Sequence, residues 1–383
     1  MIRLGFFAGV EYNNRVYFSA YMHNGLYEMD LVTKKVRLVT FFEQEEYLHY
    51  LHREAFIYKN EAWFMPCLGK YIAKVNLDTF DISYYNFSVQ KNAENTERPY
   101  YTFICGKKFD DNKLCFIPRN IDTVVIIDME TSEIREINNA IDPEKECTMD
   151  ALVLGEELFI FFRENEYYKR INLCSQEKKD FKISNRIWSI EKNGNEVWMM
   201  TEESQKMIHY DLKSKKIVHK IDLGGKKKYR GIISNGKEII CLPICAPGFL
   251  RVDVVVGDMF EDIPVEVQLA EDPVKIMMVD SEKNKYFTIG EKGLLSEISE
   301  KNQMIYSKIE ILEKDFWGVL SKYIKTKEEW SLWYKGIVAS GVGDYLGANG
   351  MIKLIKYMDK TESNIEKNTG RLIWTKIKEK DIL

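Results

Sequence analysis

The stretch Val197-Trp198-Met199-Met200, followed by a polar loop and by Met207-Ile208-His209-Tyr210-Asp211, shows the unit from which the chain is built. The turn-forming residues Asn193-Gly194-Asn195 precede it. Short runs that are rich in Val, Ile, Phe, Tyr and Trp and bounded by Asn, Gly and Asp predict β-strands joined by tight turns. The unit is therefore a predicted pair of antiparallel strands.

The same unit recurs along the chain. Its first apolar residue stands at seven positions: Val16, Ala62, Leu114, Leu158, Val197, Ile239 and Tyr286. Fourteen residues later in the first six copies, and thirteen in the last, stand Asp30, Asn76, Asp128, Asn172, Asp211, Asp253 and Ser299. Copies start 39 to 52 residues apart, a period found in propeller blades, kelch arrays and helical repeats. Because helical periodicity is absent before residue 315, the sequence predicts an all-β protein, a seven-bladed β-propeller over residues 1–312.

The recurring Asp or Asn lies at the end of the third strand of each predicted blade. Polar turns such as Thr33-Lys34-Lys35 follow it. Asp and Asn side chains hydrogen-bond the backbone two or three residues further on and so close a hairpin. Since the residue recurs in nearly every blade, we interpret it as a turn cap and not as a catalytic group.

The pattern changes at about residue 313. Asp315 is a candidate helix cap, and Phe316, Val319 and Leu320 follow at the spacing of an amphipathic helix. Four of the seven tryptophans lie in this last part of the chain: Trp317, Trp330, Trp333 and Trp374. The sequence therefore predicts a small, mainly helical extension, residues 313–383, that packs on the propeller or makes a homo-oligomer contact.

Composition narrows the functional classes. The chain has 55 basic and 59 acidic residues and a net charge of −4, which argues against a nucleic-acid surface spread over the protein. No apolar run approaches the eighteen residues of a membrane span, and the N-terminus lacks a secretory pattern. Seven cysteines without a signal peptide predict reduced thiols. Together with abundant Lys, Glu, Asn and Ile, these features predict a cytoplasmic, bacterial protein without a membrane or nucleic-acid partner.

The long, varied loops are predicted to lie on one face of the ring. In a propeller the links between blades and the loops from second to third strand share a face, while the short turns lie on the other. Loops carry function more often than the strands that position them. We therefore expect the functional site on the loop-rich face.

Catalytic motifs are absent from the sequence. It contains no G-x-S-x-G, no H-E-x-x-H and no Walker motif, and Cys241 and Cys245 have no second pair, so neither a metal site nor a cofactor is predicted. Three of the five histidines could gather on the loop-rich face and are weak candidates for an acid-base site: His23, His49 and His52. The alternative is that they are surface or hydrogen-bonded loop histidines. His209 and His219 lie in predicted strands and are interpreted as structural.

Four arginines are the candidate ligand-binding residues: Arg53, Arg119, Arg163 and Arg230. The first and the last each stand nine residues before a repeat start, which places them at the beginning of the innermost strand. The other two lie in the equivalent loops of blades three and four. Arginines that converge on one funnel favour a carboxylate, sulfate or phosphate ligand. The alternative is that each pairs with a rim glutamate, for which Glu54, Glu164 and Glu166 are available.

In repeat length, strand pattern and hairpin turns, residues 1–312 resemble seven-bladed β-propellers of the kelch-like or WD40-like kind. Apart from Gly224-Gly225 the glycine doublets of kelch blades are missing, and so are the Gly-His and Trp-Asp pairs of WD40 blades. No family's functional residues are therefore carried over. The resemblance implies a non-catalytic binding or scaffold protein that recognises a protein, peptide or glycan. The alternative is a lyase or hydrolase acting on an anionic sugar or peptide, with the arginines as clamps and His52 or His23 as base.

Overall fold

The structure is a computed structural model that describes most of the predicted ring. The described residues are 6–20, 24–45, 51–88, 102–119, 121–183, 185–201, 206–214, 216–223, 229–234, 238–243, 248–253, 259–264, 278–280, 286–289, 294–298, 304–308 and 310–311. The predicted helical extension, residues 313–383, lies outside them. Within these ranges every regular element is a strand, so they contain no helix that could cross a membrane.

The first sixteen strands of the described residues form, in chain order, four groups of four. They are β1 (Phe6–Tyr12), β2 (Arg15–Ala20), β3 (Gly25–Asp30), β4 (Lys35–Phe41), β5 (His52–Tyr58), β6 (Glu61–Pro66), β7 (Ile72–Asn76), β8 (Ile82–Tyr85), β9 (Phe103–Asp110), β10 (Lys113–Pro118), β11 (Val124–Asp128), β12 (Glu133–Ile137), β13 (Thr148–Leu154), β14 (Glu157–Phe162), β15 (Tyr167–Asn172) and β16 (Lys178–Lys182). The strands that follow are β17 (Ile187–Asn193), β18 (Glu196–Thr201), β19 (Lys206–Asp211), β20 (Lys216–Asp222), β21 (Tyr229–Ser234), β22 (Glu238–Pro243), β23 (Gly248–Asp253), β24 (Met259–Pro264), β25 (Met278–Asp280), β26 (Tyr286–Ile289), β27 (Leu294–Ile298), β28 (Met304–Lys308) and β29 (Glu310–Ile311).

Consecutive strands pair into antiparallel sheets, of which the described residues form seven. Five sheets have four strands each, from β5–β8 to β21–β24, and β26–β28 form a three-stranded sheet. The first sheet, β1–β4, gains a strand at each edge: β25 pairs in parallel with β1, and β29 pairs in parallel with β4. Strands from the end of the repeat region thus join the first sheet, as ring closure requires.

Successive sheets pack face to face through both faces of their second strands. In β6, Ala62 and Phe64 pack towards the first sheet. Trp63 and Met65, which alternate with them, pack against the third sheet. Because side chains alternate across a strand, a strand with apolar residues at every position is buried on both faces. This explains why the repeat starts with a continuous apolar run.

The recurring Asp or Asn caps the turn after the third strand, as predicted. Asn76 Oδ1 accepts hydrogen bonds from the backbone N–H groups of Asp78 at 2.9 Å and Thr79 at 3.1 Å. Equivalent bonds, within the described residues, are made by Asp30, Asp128, Asn172 and Asp211. The periodic Asp and Asn residues of the described turns are therefore structural.

The first strands of the first six sheets share an irregularity near the loop-rich face. Each shifts register after its first residue, so that one residue has no partner on the second strand. The residues in this position are Phe7, Arg53, Ile104, Met149, Trp188 and Arg230. A bulge bends the strand and redirects its side chains. The nine-residue spacing in the sequence thus correctly predicted that Arg53 and Arg230 occupy equivalent positions.

Candidate ligand-binding face

Links and loops on the predicted functional face are joined by backbone hydrogen bonds. The N–H of Cys67, in the loop after β6, donates to the carbonyl of Leu51 in the preceding link at 2.7 Å. The N–H of Thr102 donates to the carbonyl of Cys67 at 2.8 Å, and the N–H of Arg119 donates to that of Thr102 at 3.0 Å. This series of backbone hydrogen bonds joins the second and third sheets. It confirms that the links and the second-to-third loops share one face.

Buried carboxylates fix two of the links. Glu45, 5 % exposed, accepts hydrogen bonds from the backbone N–H groups of Lys70 at 2.8 Å and Tyr71 at 3.0 Å. Glu146, 4 % exposed, accepts a bond from Tyr167 Oη at 2.5 Å and forms an ion pair with Lys169 at 2.8 Å. Charge-assisted bonds of this kind are about twice as strong as neutral ones. The described parts of these two links are therefore anchored to the neighbouring loop and strand.

Two of the four candidate arginines, Arg53 and Arg119, lie near enough to Cys67 to affect the pKa of its thiol. The Arg53 guanidinium lies within hydrogen-bonding reach of the Cys67 thiol, and Arg119 is close enough to act on it electrostatically. Both arginines are half-buried, whereas Cys67 is fully buried. Burial raises the pKa of the Cys67 thiol to about 12, although both arginines oppose the rise. The thiol is consequently protonated and neutral at physiological pH.

The other two arginines are not brought to Cys67 by any contact of the described residues. Arg163 is exposed, and its backbone N–H donates to the carbonyl of Cys147 at 2.9 Å, which is the bond that Arg119 makes one sheet earlier. It therefore occupies the predicted equivalent loop. Arg230 lies in β21 at the bulge position, but its side chain is outside the described part of the chain.

A glutamate, Glu54, lies close to Arg53, as the alternative interpretation of the arginines requires. Glu54 is close enough for Arg53 to lower the pKa of its carboxyl, although burial, the larger effect, raises it. The Glu54 carboxylate accepts a hydrogen bond from the backbone N–H of Gly106 at 2.6 Å. Glu54 thus contacts the next sheet while it lies beside Arg53.

His52 does not lie where an acid-base residue of the loop-rich face would have to lie. It was predicted to lie in the link, but it is the first residue of β5 and is 1 % exposed. Its ring lies 4.4 Å from that of Phe42 and 5.3 Å from that of Phe64, and its Nδ1 is 2.9 Å from Ser19 Oγ. Burial lowers the pKa of His52 to about 3. The ring is therefore neutral and enclosed, because the strand begins one residue before the bulge. His23 and His49 lie outside the described residues.

Sequence reasoning missed a series of polar contacts that join the first strands of successive sheets. Its first member is the bond from the N–H of Gly106 in β9 to Glu54 of β5. Lys107 of β9 then forms an ion pair with Asp150 of β13 at 3.2 Å. Asp150 in turn accepts a bond from the N–H of Ile190 in β17 at 2.9 Å. Three neighbouring pairs of sheets are thus connected through side chains.

The series continues into the sixth sheet. Ser189 Oγ of β17 accepts a hydrogen bond from the N–H of Ile232 at 3.2 Å, and Glu191 accepts one from the N–H of Ser234 at 3.1 Å. The signal in the sequence was a polar residue eight positions before a repeat start, as at Glu54, Asp150 and Ser189. These contacts fix the first strands relative to one another, and with them the position of Arg53.

Lys107 keeps its charge within this series. Burial alone would lower the pKa of its ammonium group, but the nearby acidic groups, Asp150 above all, raise it overall. Its side chain remains 25 % exposed and that of Asp150 15 %. A permanently charged lysine cannot act as a general base at physiological pH. The described residues also contain no group of three His, Cys, Asp or Glu side chains that could hold a metal ion.

The described tyrosines that were candidates for the rim are engaged in packing. Tyr167 binds Glu146 and packs against the core between the third and fourth sheets. Tyr168 stacks on Phe181 at 5.3 Å, and Tyr229 is 4 % exposed. Among the residues that the structure describes, none of these three rings forms an open platform. His209 and His219, predicted to be structural, stack within the fifth sheet at 5.5 Å.

Comparison with known proteins identifies the fold. No protein-family model matches the chain, and no curated protein matches its sequence. A virginiamycin B lyase from Staphylococcus aureus is similar in structure, with 14 % identity, 74 % of this chain and 92 % of that chain covered, and a TM-score of 0.56. A streptogramin B lyase is similar at 12 % identity and a TM-score of 0.57, with 76 % of this chain and 92 % of that chain covered. A chain of a mitotic checkpoint complex is similar at 8 % identity and a TM-score of 0.53, with 79 % of this chain and 86 % of that chain covered. At such low identity the likeness concerns the fold alone, and the chain is an all-β protein with a β-propeller fold.

Proposed function

We propose that the chain is a seven-bladed propeller of the general kelch-like or WD40-like kind that serves as a non-catalytic binding or scaffold module. Its ligand, a protein, peptide or glycan, would bind on the loop-rich face. The observation that carries this proposal is that buried Glu45 and buried Glu146 anchor the described parts of two links on that face. Preorganised loops lose little conformational entropy on binding, which favours recognition.

The proposal also covers the number of blades, the cellular location and the partners of the protein. Seven sheets among the described residues support the blade count. None of the cysteines in the described part forms a disulfide, which supports the proposal of a reducing cytoplasm in a bacterial cell. Neither a nucleic acid nor a membrane is proposed as partner. The extension at residues 313–383 is proposed to pack on the propeller or to mediate a homo-oligomer.

The lyase or hydrolase alternative has less support. Two of the similar structures are lyases, but their likeness to this chain concerns the fold alone. A reaction of this type needs an acid-base group within hydrogen-bonding reach of the substrate. Of the two candidate bases, His52 and His23, only His52 lies among the described residues, and it is enclosed between aromatic rings with a pKa of about 3. Lys107 is held in its charged form by Asp150. We therefore propose binding and not catalysis.

A peptide-display selection against the immobilised full chain tests the proposal. Selected peptides should lose affinity when charge is reversed on the loop-rich face, as in Lys145→Glu, and keep it when charge is reversed on the opposite face, as in Lys59→Glu. Both side chains are exposed, at 77 % and 64 %. Selected peptides that respond only to Lys59→Glu, or a library that yields no binder, would count against the proposal.

A further inference from the structure

We propose that the outer edge of the fifth blade, strand β20, binds an acidic, extended peptide segment of a partner protein, which adds to the sheet as a further strand. This surface is distinct from the loop-rich face, so the inference goes beyond the proposed function and does not depend on it. Three features carry it: the edge position of the strand, the apolar side chains that it exposes, and the lysines on either side of them.

Strand β20 is the outer strand of its sheet. It pairs with β19 on one side, and no described strand pairs with its other side. An edge strand leaves alternate backbone N–H and C=O groups without a partner strand, so it can accept a peptide as an additional strand. Its inner side is anchored, because Ile221 packs into the core between the fifth and sixth sheets and the His219 ring stacks on that of His209 at 5.5 Å. The edge is therefore preorganised for pairing.

Two neighbouring apolar side chains of β20 are exposed, Ile217 at 49 % and Val218 at 47 %. They lie at a bulge, where Val218 has no partner residue on β19 and the alternation of side chains is interrupted. Of the large apolar side chains that the structure describes, only these two and Val32, in a turn, are exposed. The outer strands β8, β12 and β16 thus lack this feature. Burial of the two side chains favours a partner at β20 over those edges.

The charge along this edge is positive. The exposed Lys216 and Lys220 flank the apolar pair, and in the described part of the chain neither lysine forms an ion pair. Asp211, which lies opposite Lys216 on β19, accepts a hydrogen bond from the N–H of Lys213 in the intervening turn. Between positions 213 and 230 the sequence has eight Lys or Arg residues and one acidic residue, in a chain whose net charge is −4. The edge is therefore complementary to a segment that carries carboxylates.

The same features favour an acidic peptide over two other occupants. Lysines on an edge strand repel strands of like charge, which disfavours pairing with β20 of a second copy of the chain. A nucleic acid would contact the lysines through its phosphates, but it would use neither the apolar pair nor the backbone groups of the edge. An extended peptide that alternates acidic and apolar residues uses all three features.

Fluorescence anisotropy with the full chain and a labelled peptide of alternating Glu and Val residues tests this inference. The peptide should bind saturably, and more weakly as salt is added, because salt screens exposed charges. Lys216→Glu and Lys220→Glu should each weaken binding by about fivefold or more, since each replaces an attractive exposed pair by a repulsive one. Ile217→Asn should also weaken binding. Lys220→Arg, which keeps the charge, should bind as the wild type does.

Two lysines elsewhere serve as matched controls. Lys182→Glu changes an exposed lysine on β16, the outer strand of the fourth blade, and Lys145→Glu changes one on the loop-rich face; neither should alter the affinity. A peptide of alternating Lys and Val residues should not bind. Thermal melting of each variant establishes that it is folded before its affinity is compared.

Hydrogen exchange measures the addition of a strand directly. With the Glu and Val peptide bound, backbone N–H groups of β20 should exchange more slowly, because those that face outwards become hydrogen-bonded, while exchange in β16 should not change.

Several outcomes would overturn the inference. These are failure of the full chain to bind the peptide, binding that neither charge reversal on β20 weakens, an equal loss in Lys182→Glu, or slower exchange in other strands but not in β20. Self-association that Lys220→Glu abolishes would assign the edge to a second copy, and an oligodeoxynucleotide that displaces the peptide would assign it to a nucleic acid. A loss confined to Lys145→Glu would place the peptide on the loop-rich face, so that this inference fails while the proposed function stands.

Discussion

Lys107 Nζ lies 3.2 Å from Asp150 Oδ1, and this ion pair crosses from the first strand of the third blade to that of the fourth. Asp150 also binds the N–H of Ile190 in the fifth blade. One carboxylate therefore links three blades. Together with the apolar packing and the other polar contacts between first strands, it fixes the relative position of the strands that carry the rim.

Replacement of Asp150 by Asn should destabilise the ring. The substitution leaves Lys107 charged and without its ion-pair partner. Loss of one partner from a fully buried pair costs roughly 3–5 kcal/mol, and since these side chains are 25 % and 15 % exposed we expect about 2 kcal/mol. Lys107→Met should cost less, because Asp150 keeps its bond to Ile190. Urea unfolding measures both; Lys145→Gln, an exposed control, should have no effect. A loss below about 0.5 kcal/mol for Asp150→Asn would contradict this role.

His52 should make stability depend on pH in a defined window. Its pKa is about 3 in the folded protein and about 6.5 in an unfolded chain, so the unfolded state binds the proton first. The stability conferred by the neutral ring is complete above about pH 6.5 and is lost as the pH falls towards 3, at about 1.4 kcal/mol per pH unit. In His52→Phe, which retains an aromatic ring beside Phe42 and Phe64, this component should vanish. Urea unfolding between pH 7 and 4.5 compares the two proteins, and parallel curves would refute the assignment.

The turn caps should contribute to stability one by one. Asn76→Ala removes the acceptor of two backbone hydrogen bonds, from Asp78 and Thr79, and we expect a loss of about 1 kcal/mol. Asn76→Asp is the matched control, because it keeps an acceptor oxygen in place. Chemical denaturation should therefore rank Asn76→Ala below Asn76→Asp and wild type. Equal stability of all three proteins would show that the bonds to Asn76 contribute nothing.

Phe56 of the second blade should limit which residues can replace Gly106. A Cβ atom there would lie 2.5 Å from the ring of Phe56, so Gly106→Ala requires the ring to shift and should cost about 1–3 kcal/mol. Gly231→Ala, whose Cβ would lie 3.3 Å from Ser189 Oγ, should cost less. In a double-mutant cycle with Phe56→Leu the two losses should be less than additive. Strict additivity would mean that the two residues do not interfere.

Much of the fold was predictable because the information is local. The repeat starts, such as Ala62, fall in second strands, and the turn caps, such as Asn76, make the predicted bonds. Pairing between the two ends of the ring was not predictable. Ala8 pairs with Met278 and Glu310 with Lys35, and no local pattern encodes a parallel pairing over such a separation.

The candidate site was predictable in part, for the same reason. The nine-residue spacing correctly placed Arg53 at the first strand, since that spacing depends only on one hairpin. Asp150 was overlooked because its partners lie in two other blades, and only the assembled ring brings them together. The burial of His52 was not predictable, because its place at the start of β5, one residue before the bulge, is defined only by pairing with β6.

A hydrogen-exchange footprint of a display-selected peptide on the full chain addresses the proposed binding face. The proposal predicts slower exchange, with peptide bound, in the loop around Gly69–Tyr71 and in the link around Asp142–Cys147, and no change in the turns around Asp78 and Glu130 on the opposite face. Protection confined to the opposite turns would contradict it.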